Sequence, residues 1–338
     1  MTEYKYNRKV VDVPEEVKGV LQDLETELGD SSYRNSRKNI LGYVKYVNDS
    51  KGQFPTEDNA EAHVKLLNNY LRYRKKEGYA RETISSHWTW LSRLYKELSM
   101  GLLHDYAFLS QNPIELLEEE TGKTRKDYLP EERDSSIQKR QYYIDKDTLE
   151  SMCESDVSPS FRNEVLLRLA WTTGLRGSEI VNLRLDNLNL QEGLLQNVEI
   201  PKTNDRTDMW LPDTTVWFLD QYINAGYRDS FSYAEESEYL FVTNFQEQMH
   251  PQRPNRIVKK IAEDIGIQEV LGTDKGGSEI CKVTMHAMRR GHGMYLWKQG
   301  QTLKTISHRL NHSSTQQTEE YLPISVEESK QQLQDVSF

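Results

Sequence analysis

Six polar residues in the C-terminal half of the sequence carry side chains that together can do chemistry on a phosphodiester. They are two arginines, a lysine, two histidines and a tyrosine: Arg176, Lys202, His286, Arg289, His312 and Tyr321. An arginine can bind a phosphodiester with two parallel hydrogen bonds, histidine and lysine can transfer protons, and a tyrosine hydroxyl can attack phosphorus. The set therefore indicates cleavage or transfer at a phosphodiester bond.

The surroundings of three of these residues predict rigid positions for their side chains. Arg176 follows Gly174 in the segment Thr173–Glu179, where the glycine predicts the end of one helix and the start of the next. His286 and Arg289 are three residues apart on a predicted helix and leave it on the same face. Each pattern by itself is most often a solvated arginine or a chance pair, so only the order and spacing of the whole set is specific.

The other three residues lie next to turns or near the end of the sequence. Lys202 lies in the polar stretch Pro201–Arg206 between two apparent strands, where a lysine can deliver a proton to a leaving oxygen. His312 follows a helix predicted to end near Leu310, and Tyr321 lies on a short helix after it. Because the chain has 19 tyrosines, Tyr321 is identified by its neighbours and not by its residue type.

Composition and charge exclude several classes of protein. The 338 residues include 53 Asp and Glu against 43 Lys and Arg, a net charge of −10, which argues against general nucleic-acid binding. Between Ser31 and Pro113, however, 13 basic residues stand against 8 acidic ones, so this region can still bind phosphates. Two cysteines cannot form a disulfide framework, and no apolar run predicts a signal peptide or a membrane span. We therefore expect a cytoplasmic protein that does not bind membranes.

Helical periodicity dominates the first part of the chain. The predicted helices cover residues 17–24, 40–47, 58–76 and 81–98. Residues 31–114 are thus predicted to form a helical domain, preceded by an acidic extension over residues 1–30. The segment 115–142 is rich in charge, has few apolar side chains and is predicted to be a linker.

A second domain is predicted over residues 143–338. Alternating apolar and polar residues indicate strands at 194–200 and 207–211, around the turn that holds Lys202. Helices are expected near 164–171, 214–224, 255–265, 286–298 and 302–310. The predicted fold class is mainly α, with an N-terminal helical domain and a mostly helical C-terminal domain that contains a small antiparallel β-sheet.

In their order and spacing the six residues resemble the tyrosine recombinase, or phage integrase, family, and the resemblance covers nearly the whole chain. The matching positions are the Thr-Gly-Leu-Arg-x-Ser-Glu segment at Thr173–Glu179, the hairpin lysine at Lys202, the His-x-x-Arg at His286 and Arg289, the Leu-Gly-His at 310–312 and the nucleophile at Tyr321. The helical domain resembles the core-site-binding domain of the family. Two positions depart from the pattern. Asn311 replaces a glycine but also tolerates a left-handed turn, and Arg290 stands where histidine is frequent.

The resemblance implies an enzyme that breaks and rejoins DNA strands without a metal, nucleotide or other cofactor. Tyr321 would attack a scissile phosphate, which gives a 3′-phosphotyrosine and releases a free 5′-hydroxyl. The 5′-hydroxyl of a second strand would then attack the phosphotyrosine, release Tyr321 and join the exchanged strands. The roles implied for the other residues are phosphate binding by Arg176, Arg289 and His312, proton acceptance by His286 and proton donation by Lys202. Glu179 would orient its neighbours.

The resemblance also implies the partners of this enzyme. They are double-stranded DNA with specific target sites and further copies of the chain, assembled as a tetramer on DNA. The contact between copies would use Leu322, Ile324, Val326 and Leu333 of an otherwise polar C-terminal tail. Candidate DNA contacts are Arg34, Arg37, Lys38, Arg81, Ser85, Ser86, Arg93 and Arg290. Most of them should contact phosphates, and about half should prove to be ordinary surface residues.

Three alternatives remain from the sequence. One is a type IB topoisomerase, which uses the same phosphotyrosine chemistry to relax supercoils. Another is a DNA-binding protein of the same fold that lacks strand exchange. The third is a metalloprotein that uses Cys281 and the nearby histidines, although these residues complete no recognised ligand pattern.

Overall fold

The computed structural model describes residues 4–7, 9–134, 139, 141–201, 205–312 and 314–322, without the side chains of residues 320 and 321. Its contacts divide the chain into two compact units, Met1–Arg133 and Asp134–Phe338. Both units are mostly helical with short antiparallel strands, which confirms the predicted fold class. No helix in the described part of the chain is long and apolar enough to cross a lipid bilayer.

The first unit is a set of helices around one apolar core. Its strands β1 (Lys5–Tyr6) and β2 (Lys9–Val10) pair antiparallel. Its helices are α1 (Glu15–Glu27), α2 (Asp30–Lys51), α3 (Ala60–Lys76), α4 (Arg81–Leu98), α5 (Pro113–Thr121) and α6 (Arg125–Tyr128). The four helices predicted from periodicity are confirmed, since the residues that defined the pattern, such as Val17, Val44 and Leu91, are all fully buried.

The chain divides between Arg133 and Asp134, inside the segment 115–142 that was predicted to be a linker, but the first part of that segment is folded. Helices α5 and α6 pack on the first unit through Leu117 and Tyr128, which are buried. The Tyr128 hydroxyl donates to Asn68 Oδ1 at 2.9 Å, and its ring lies 5.6 Å from that of Trp88. Few apolar side chains are present in this segment, but two that reach a core are enough to dock short helices.

Two buried histidines lie in a network of tyrosines inside the first unit. His63 hydrogen-bonds to the Tyr95 hydroxyl at 3.2 Å, and His87 to the Tyr70 hydroxyl at 3.1 Å. Arg74 donates to the same Tyr70 oxygen at 2.8 Å. Burial lowers the pKa of His63 to about 4, and burial with the nearby Arg74 charge lowers the pKa of His87 to about 3. Both imidazoles are therefore neutral in the folded protein at neutral pH.

We expect the first unit to lose stability as the pH falls from 6.5 towards 4. In the unfolded chain both histidines take up protons near pH 6.5, whereas the folded unit keeps them neutral, so the unfolded state binds more protons. Each histidine should lower the free energy of unfolding by about 1.4 kcal/mol per pH unit in this window. Hydrogen exchange of the α3 and α4 amides, corrected for intrinsic rates, measures the effect. A His63→Gln/His87→Gln variant with an unchanged slope would contradict it.

The second unit contains eight described helices and two small sheets. The helices are α7 (Lys146–Cys153), α8 (Ser160–Thr173), α9 (Gly177–Val181), α10 (Asp213–Asn224), α11 (Arg253–Asp264), α12 (Met285–Lys298), α13 (Leu303–Arg309) and α14 (Thr315–Tyr321). Strands β3 (Leu188–Asn189), β4 (Leu194–Ile200) and β5 (Asp205–Trp210) form one antiparallel sheet, and β6 (Val270–Thr273) pairs with β7 (Glu279–Cys281). The predicted helices and the β4–β5 hairpin are confirmed, while α7, β3 and the β6–β7 pair were not predicted.

Packing of α8 against α12 positions the residues of interest. Helix α8 buries side chains on most of its circumference, including Leu166 and Leu169, so it forms the centre of the unit. The segment before α7 joins the two helices, because Ile144 accepts a hydrogen bond from the Trp171 indole at 2.9 Å and donates to Ala287 O at 3.1 Å. This arrangement brings the C-terminal end of α8 next to the first turns of α12.

Candidate active site

Arg176 lies at the turn between α8 and α9, as the sequence predicted. Gly174 ends α8 with a φ of 66°, and a Cβ at this position would lie 2.7 Å from Leu310 Cδ2 and 2.9 Å from the His292 ring. Glycine is therefore required both by the backbone conformation and by the available space. The side chain of Arg176 remains 23% exposed, so a phosphate can reach it.

Glu179 fixes both the main chain and the side chain of Arg176. Its Oε2 accepts from the Arg176 backbone N–H at 2.8 Å, and its Oε1 accepts from Arg176 Nη1 at 2.7 Å. Glu179 is only 2% exposed, and its Oε2 lies 4.0 Å from Arg289 Nη1. One buried carboxylate thus stands between two guanidinium groups, and the trio keeps a net positive charge that suits an anion.

Arg289 is held by two main-chain carbonyls from distant parts of the chain. Its Nη1 donates to Gly174 O at 2.5 Å, and its Nη2 donates to Leu310 O. The residue is 2% exposed. These contacts join the turn before Arg176, helix α12 and the end of α13 into one site, and they fix the plane of the guanidinium.

His286 lies one turn before Arg289 on α12 and keeps an exposed surface. Desolvation and then the positive charges of Arg290, Arg289, Arg176 and Lys139 lower the pKa of His286 to about 4. Water screens part of this lowering of the pKa at an exposed side chain, but all four positive charges act in the same direction. The imidazole is therefore neutral at neutral pH, the form that can accept a proton.

His312 follows a turn that only a few residue types can form. Asn311 adopts a φ of 48°, so asparagine does keep the left-handed turn in place of the expected glycine. The backbone N–H of His312 donates to Ser307 O at 3.0 Å, and its Nδ1 lies 3.0 Å from Thr318 Oγ1. His312 is therefore tied to α14, the helix that carries Tyr321.

Helix α14 is docked on its own unit by the residues around Tyr321. Leu322 is 3% exposed and packs in an apolar cluster with Met294, Ile306 and Leu310. A Cβ at Gly293 would lie 3.1 Å from Leu322 Cδ2, so this glycine makes room for the docked side chain. The backbone of Tyr321 lies at the end of α14, while its side chain and the whole of Lys202 lie outside the described residues.

A comparison with models of known protein families shows which family the chain belongs to. The model of the phage integrase family matches residues 143–328, more than half of the chain. The chain belongs to the phage integrase family. The match covers the turn at Arg176, the His286–Arg289 pair, His312 and Tyr321, so the resemblance predicted from the motifs is confirmed.

Full-length relatives and solved structures agree with this membership. The tyrosine recombinase XerD of Listeria innocua is 22% identical over 93% of this chain and 93% of its own length. The tyrosine recombinase XerA of Pyrococcus furiosus is 22% identical over 79% of the chain and 92% of its own length. A lambda integrase dimer bound to a COC′ core site gives a TM-score of 0.62 at 16% identity, covering 90% of this chain and 93% of that one. The Tn1549 transposon integrase with a circular intermediate DNA gives 0.63 at 12% identity, covering 95% and 99%. These structures show a shared fold.

Arg290, predicted as a DNA contact, is instead buried beneath the site. It is 6% exposed, and its Nη1 donates to Lys139 O and, at 2.7 Å, to Tyr142 O. The guanidinium therefore holds the segment that leads into the second unit. The position next to Arg289 could not reveal this, because the accepting carbonyls lie about 150 residues away in the sequence.

The candidate DNA contacts of the first unit differ in their surroundings. Ser86 accepts from Asn35 Nδ2 and from Asn39 Nδ2, both at 3.3 Å, so helices α2 and α4 share one polar face. Ser85, the preceding residue of α4, accepts from Arg125 Nη2 of α6. Asn35 and Arg125 were not among the predicted DNA contacts. Asn35 is adjacent in sequence to the predicted Arg34, and Arg125 hydrogen-bonds to the predicted Ser85.

The charged candidates in this unit are engaged to different degrees. Arg93 pairs with Glu27 at 2.8 Å and with Glu97 at 2.6 Å, which neutralises it. Arg34 pairs with Asp30 at 3.5 Å, and because the Arg34 side chain is 79% exposed, this ion pair contributes little to stability. The remaining candidates are placed as follows: Arg81 donates to Pro130 O at 3.0 Å, Arg37 lies over the Tyr4 ring at 5.4 Å, and Lys38 is exposed.

The structure also bears on the metal alternative. Within the described residues, no group of three or more His, Cys, Asp or Glu side chains has an arrangement that could hold a metal ion. Cys281 is buried, and His292 is buried against Trp171 and Gly174, whereas His286 on the same helix is exposed.

Proposed function

We propose that this integrase is a site-specific DNA recombinase that uses Arg176 and Arg289 to bind the scissile phosphate and Tyr321 to attack it. The observation that carries the proposal is the convergence of the two arginines on Glu179, with His286 and His312 held beside them. The relatives are tyrosine recombinases, and enzymes of this family break and rejoin DNA strands. Cleavage would leave a 3′-phosphotyrosine and a free 5′-hydroxyl.

The two arginines stabilise the charge that develops on phosphorus. In the transition state the non-bridging oxygens gain negative charge, and donors held in advance stabilise that charge without reorganising. Glu179 and the carbonyls of Gly174 and Leu310 hold the guanidinium groups before DNA binds. Loss of one such donor raises the barrier by about 3–4 kcal/mol.

His286 accepts the proton of the attacking hydroxyl in this proposal. An unperturbed tyrosine has a pKa of about 10, so it needs a base at neutral pH. The lowered pKa of His286 keeps the imidazole neutral and ready to accept a proton. Lys202 is proposed to protonate the leaving 5′-oxygen, and His312 to donate to the phosphate, while Thr318 holds its Nδ1.

The docking of α14 supports attack by the tyrosine of the same chain. Thr318 contacts His312, and Leu322 fills a cluster formed by α12 and α13, so both sides of Tyr321 are anchored within one unit. A helix anchored on both sides of the nucleophile reduces the freedom lost on reaching the transition state.

The partners we propose are double-stranded DNA with specific target sites and three further copies of the chain. The lambda and Tn1549 integrases of similar fold are DNA complexes, and the first of them is a dimer. The polar face of α2 and α4 and the positively charged active site are the surfaces we propose for DNA. The cytoplasm remains the compartment that we propose for this enzyme.

Assembly as a tetramer should depend on the tail that follows Leu322. Because Leu322 packs within its own unit, the apolar residues that follow it, such as Ile324, Val326 and Leu333, are left to reach a neighbouring protomer. We expect a chain truncated after Ser325 to bind DNA but to lose the tetramer in mass photometry. A full-length Gln331→Ala chain serves as the control, and an unchanged tetramer in the truncated chain would remove this role of the tail.

A nicked DNA duplex tests the chemistry directly. Cleavage next to the nick releases a short fragment, so the enzyme remains trapped as a covalent adduct that survives a denaturing gel. The same assay rejects a DNA-binding protein of this fold that lacks cleavage. Incubation with two different target duplexes then separates a recombinase, which yields reciprocal products, from a topoisomerase, which does not. The recombinase names of the relatives favour the first outcome.

A further inference from the structure

A second group of arginines in the catalytic unit lines a cavity of about 320 Å³. Its walls include Arg162 of α8, Arg253 and Arg256 of α11, and His250 in the loop before α11. No Asp or Glu is among the residues that line it. Because three arginines surround the cavity and no carboxylate lines it, the cavity carries a positive charge that favours binding of an anion.

Arg162 forms the floor of this cavity and is not neutralised. It is 5% exposed, and its guanidinium lies over the Phe231 ring at 5.1 Å. Its Nη2 donates to Asn163 Oδ1 at 3.0 Å, but its Nε has no hydrogen-bond partner. Burial lowers the pKa of Arg162 to about 10; the Tyr222 hydroxyl partly opposes this shift, the charge of Arg253 adds a smaller lowering, and no carboxylate contributes. A buried charge without an anionic partner is destabilising until one arrives.

The opposite wall presents donors that are free to move towards a ligand. Arg253 and Arg256 are exposed, and within the described part of the chain neither forms an ion pair. Arg256 donates only to the neutral Gln252 Oε1, at 3.3 Å. Both arginines lie in the first turn of the 12-residue helix α11, where the helix dipole also favours a negative charge.

The cavity adjoins the catalytic turn but is separate from it. Pro254, next to Arg253, packs against the residue after Arg176, since a Cβ at Gly177 would lie 3.6 Å from Pro254 Cβ. Neither Arg176 nor Arg289 lines the cavity. A ligand bound there would therefore lie beside the scissile phosphate without competing for the same guanidinium groups.

We propose that this cavity binds a phosphate group at a second site, distinct from the Arg176–Arg289 pair. Guanidinium groups on two walls match the tetrahedral oxygens of phosphate, and the buried Arg162 supplies the charge that a phosphate neutralises. The phosphate can come from the DNA backbone next to the cleavage point or from a free phosphorylated solute. If the phosphate comes from DNA, the inference rests on the proposed function. If the phosphate comes from a solute, the inference is independent of that function.

The first arm of the experiment uses inorganic pyrophosphate and the full chain without DNA. The melting temperature is measured against pyrophosphate concentration, at constant ionic strength, for the wild type and for Arg253→Gln, Arg256→Gln and Lys260→Gln. Lys260 is the matched control, because it is an exposed cation on α11 that does not line the cavity. If the source is a solute, each arginine variant should need about tenfold more pyrophosphate for the same rise in melting temperature.

The second arm measures binding of a mixed-sequence duplex by the same four proteins over a range of salt concentrations. If the DNA backbone supplies the phosphate, each arginine variant should bind more weakly, with a slope of log K against log salt smaller by about 1, while Lys260→Gln should not. The proposal is overturned if both arginine variants behave like Lys260→Gln in both arms. If the nicked duplex gave no covalent adduct, the proposed function would be contradicted, but the result of the pyrophosphate measurement would still test the phosphate site.

Discussion

Replacing Tyr321 by phenylalanine should abolish the covalent adduct with nicked DNA. Phenylalanine keeps the ring but removes the oxygen that attacks phosphorus, and no other group can form the same bond, so we expect a loss of at least about 10⁴-fold. DNA affinity should stay unchanged, because the hydroxyl is not among the proposed phosphate contacts. A denaturing gel of the reaction with labelled duplex measures the adduct.

Tyr295 provides the matched control for this substitution. It is an exposed tyrosine on α12, 38% accessible, whose ring packs 5.1 Å from that of Trp171. Tyr295→Phe removes the same atom from the same unit and should leave the adduct yield unchanged. An adduct that persists in Tyr321→Phe would show that another residue is the nucleophile, and mapping the labelled peptide would identify it.

Replacing Arg176 by alanine should slow cleavage by about 10²–10³-fold. The side chain is partly exposed and is proposed to contact the scissile phosphate, so its loss removes a donor at the point where negative charge develops. Glu179 keeps the hydrogen bond from the backbone N–H of residue 176, at 2.8 Å, and remains near Arg289. We therefore expect the melting temperature to fall by only about 2–4 °C.

Single-turnover cleavage of nicked DNA measures the effect of Arg176→Ala. Arg184→Ala is the matched control, since Arg184 is an exposed arginine of the same unit, paired with Glu238 at 2.6 Å. It should change neither the rate of cleavage nor the stability by a measurable amount. Equal rates for the two variants would mean that Arg176 does not bind the reacting phosphate.

Glu179 has a different role from the two arginines: the arginines are proposed to bind the phosphate, whereas Glu179 positions them. It touches Arg176 twice and lies near Arg289, yet it is buried and negatively charged, so its role is to hold the two guanidinium groups. The sequence predicted this orienting role but could not show that one carboxylate serves both arginines. The two arginines are more than a hundred positions apart in the chain, and only the packing of α8 against α12 brings them to the same carboxylate.

Periodicity identified the helices of both units because burial of one face leaves a regular mark on the sequence. The stripe of α4, from Ile84 to Leu98, and the alternation in Leu194–Ile200 are such marks, and both predictions are confirmed. The same criterion missed α5 and α6, since Leu117 and Tyr128 are too few to form a pattern. It also missed α7, although Asp145 accepts from the Thr148 backbone N–H at 2.8 Å and is a capping signal at its start.

The sequence by itself determined the family, the order of the reacting residues and most of the described helices, because each of these is a local property of residue type and spacing. Only the tertiary structure decided which partners hold each charged group. Arg289 bonds to the carbonyls of Gly174 and Leu310, Arg290 is buried under the segment before α7, and Arg162 faces a cavity without a carboxylate. The physical reason is that a hydrogen bond depends on which distant backbone atom packing brings within 3 Å, and residue spacing along one helix carries no record of that.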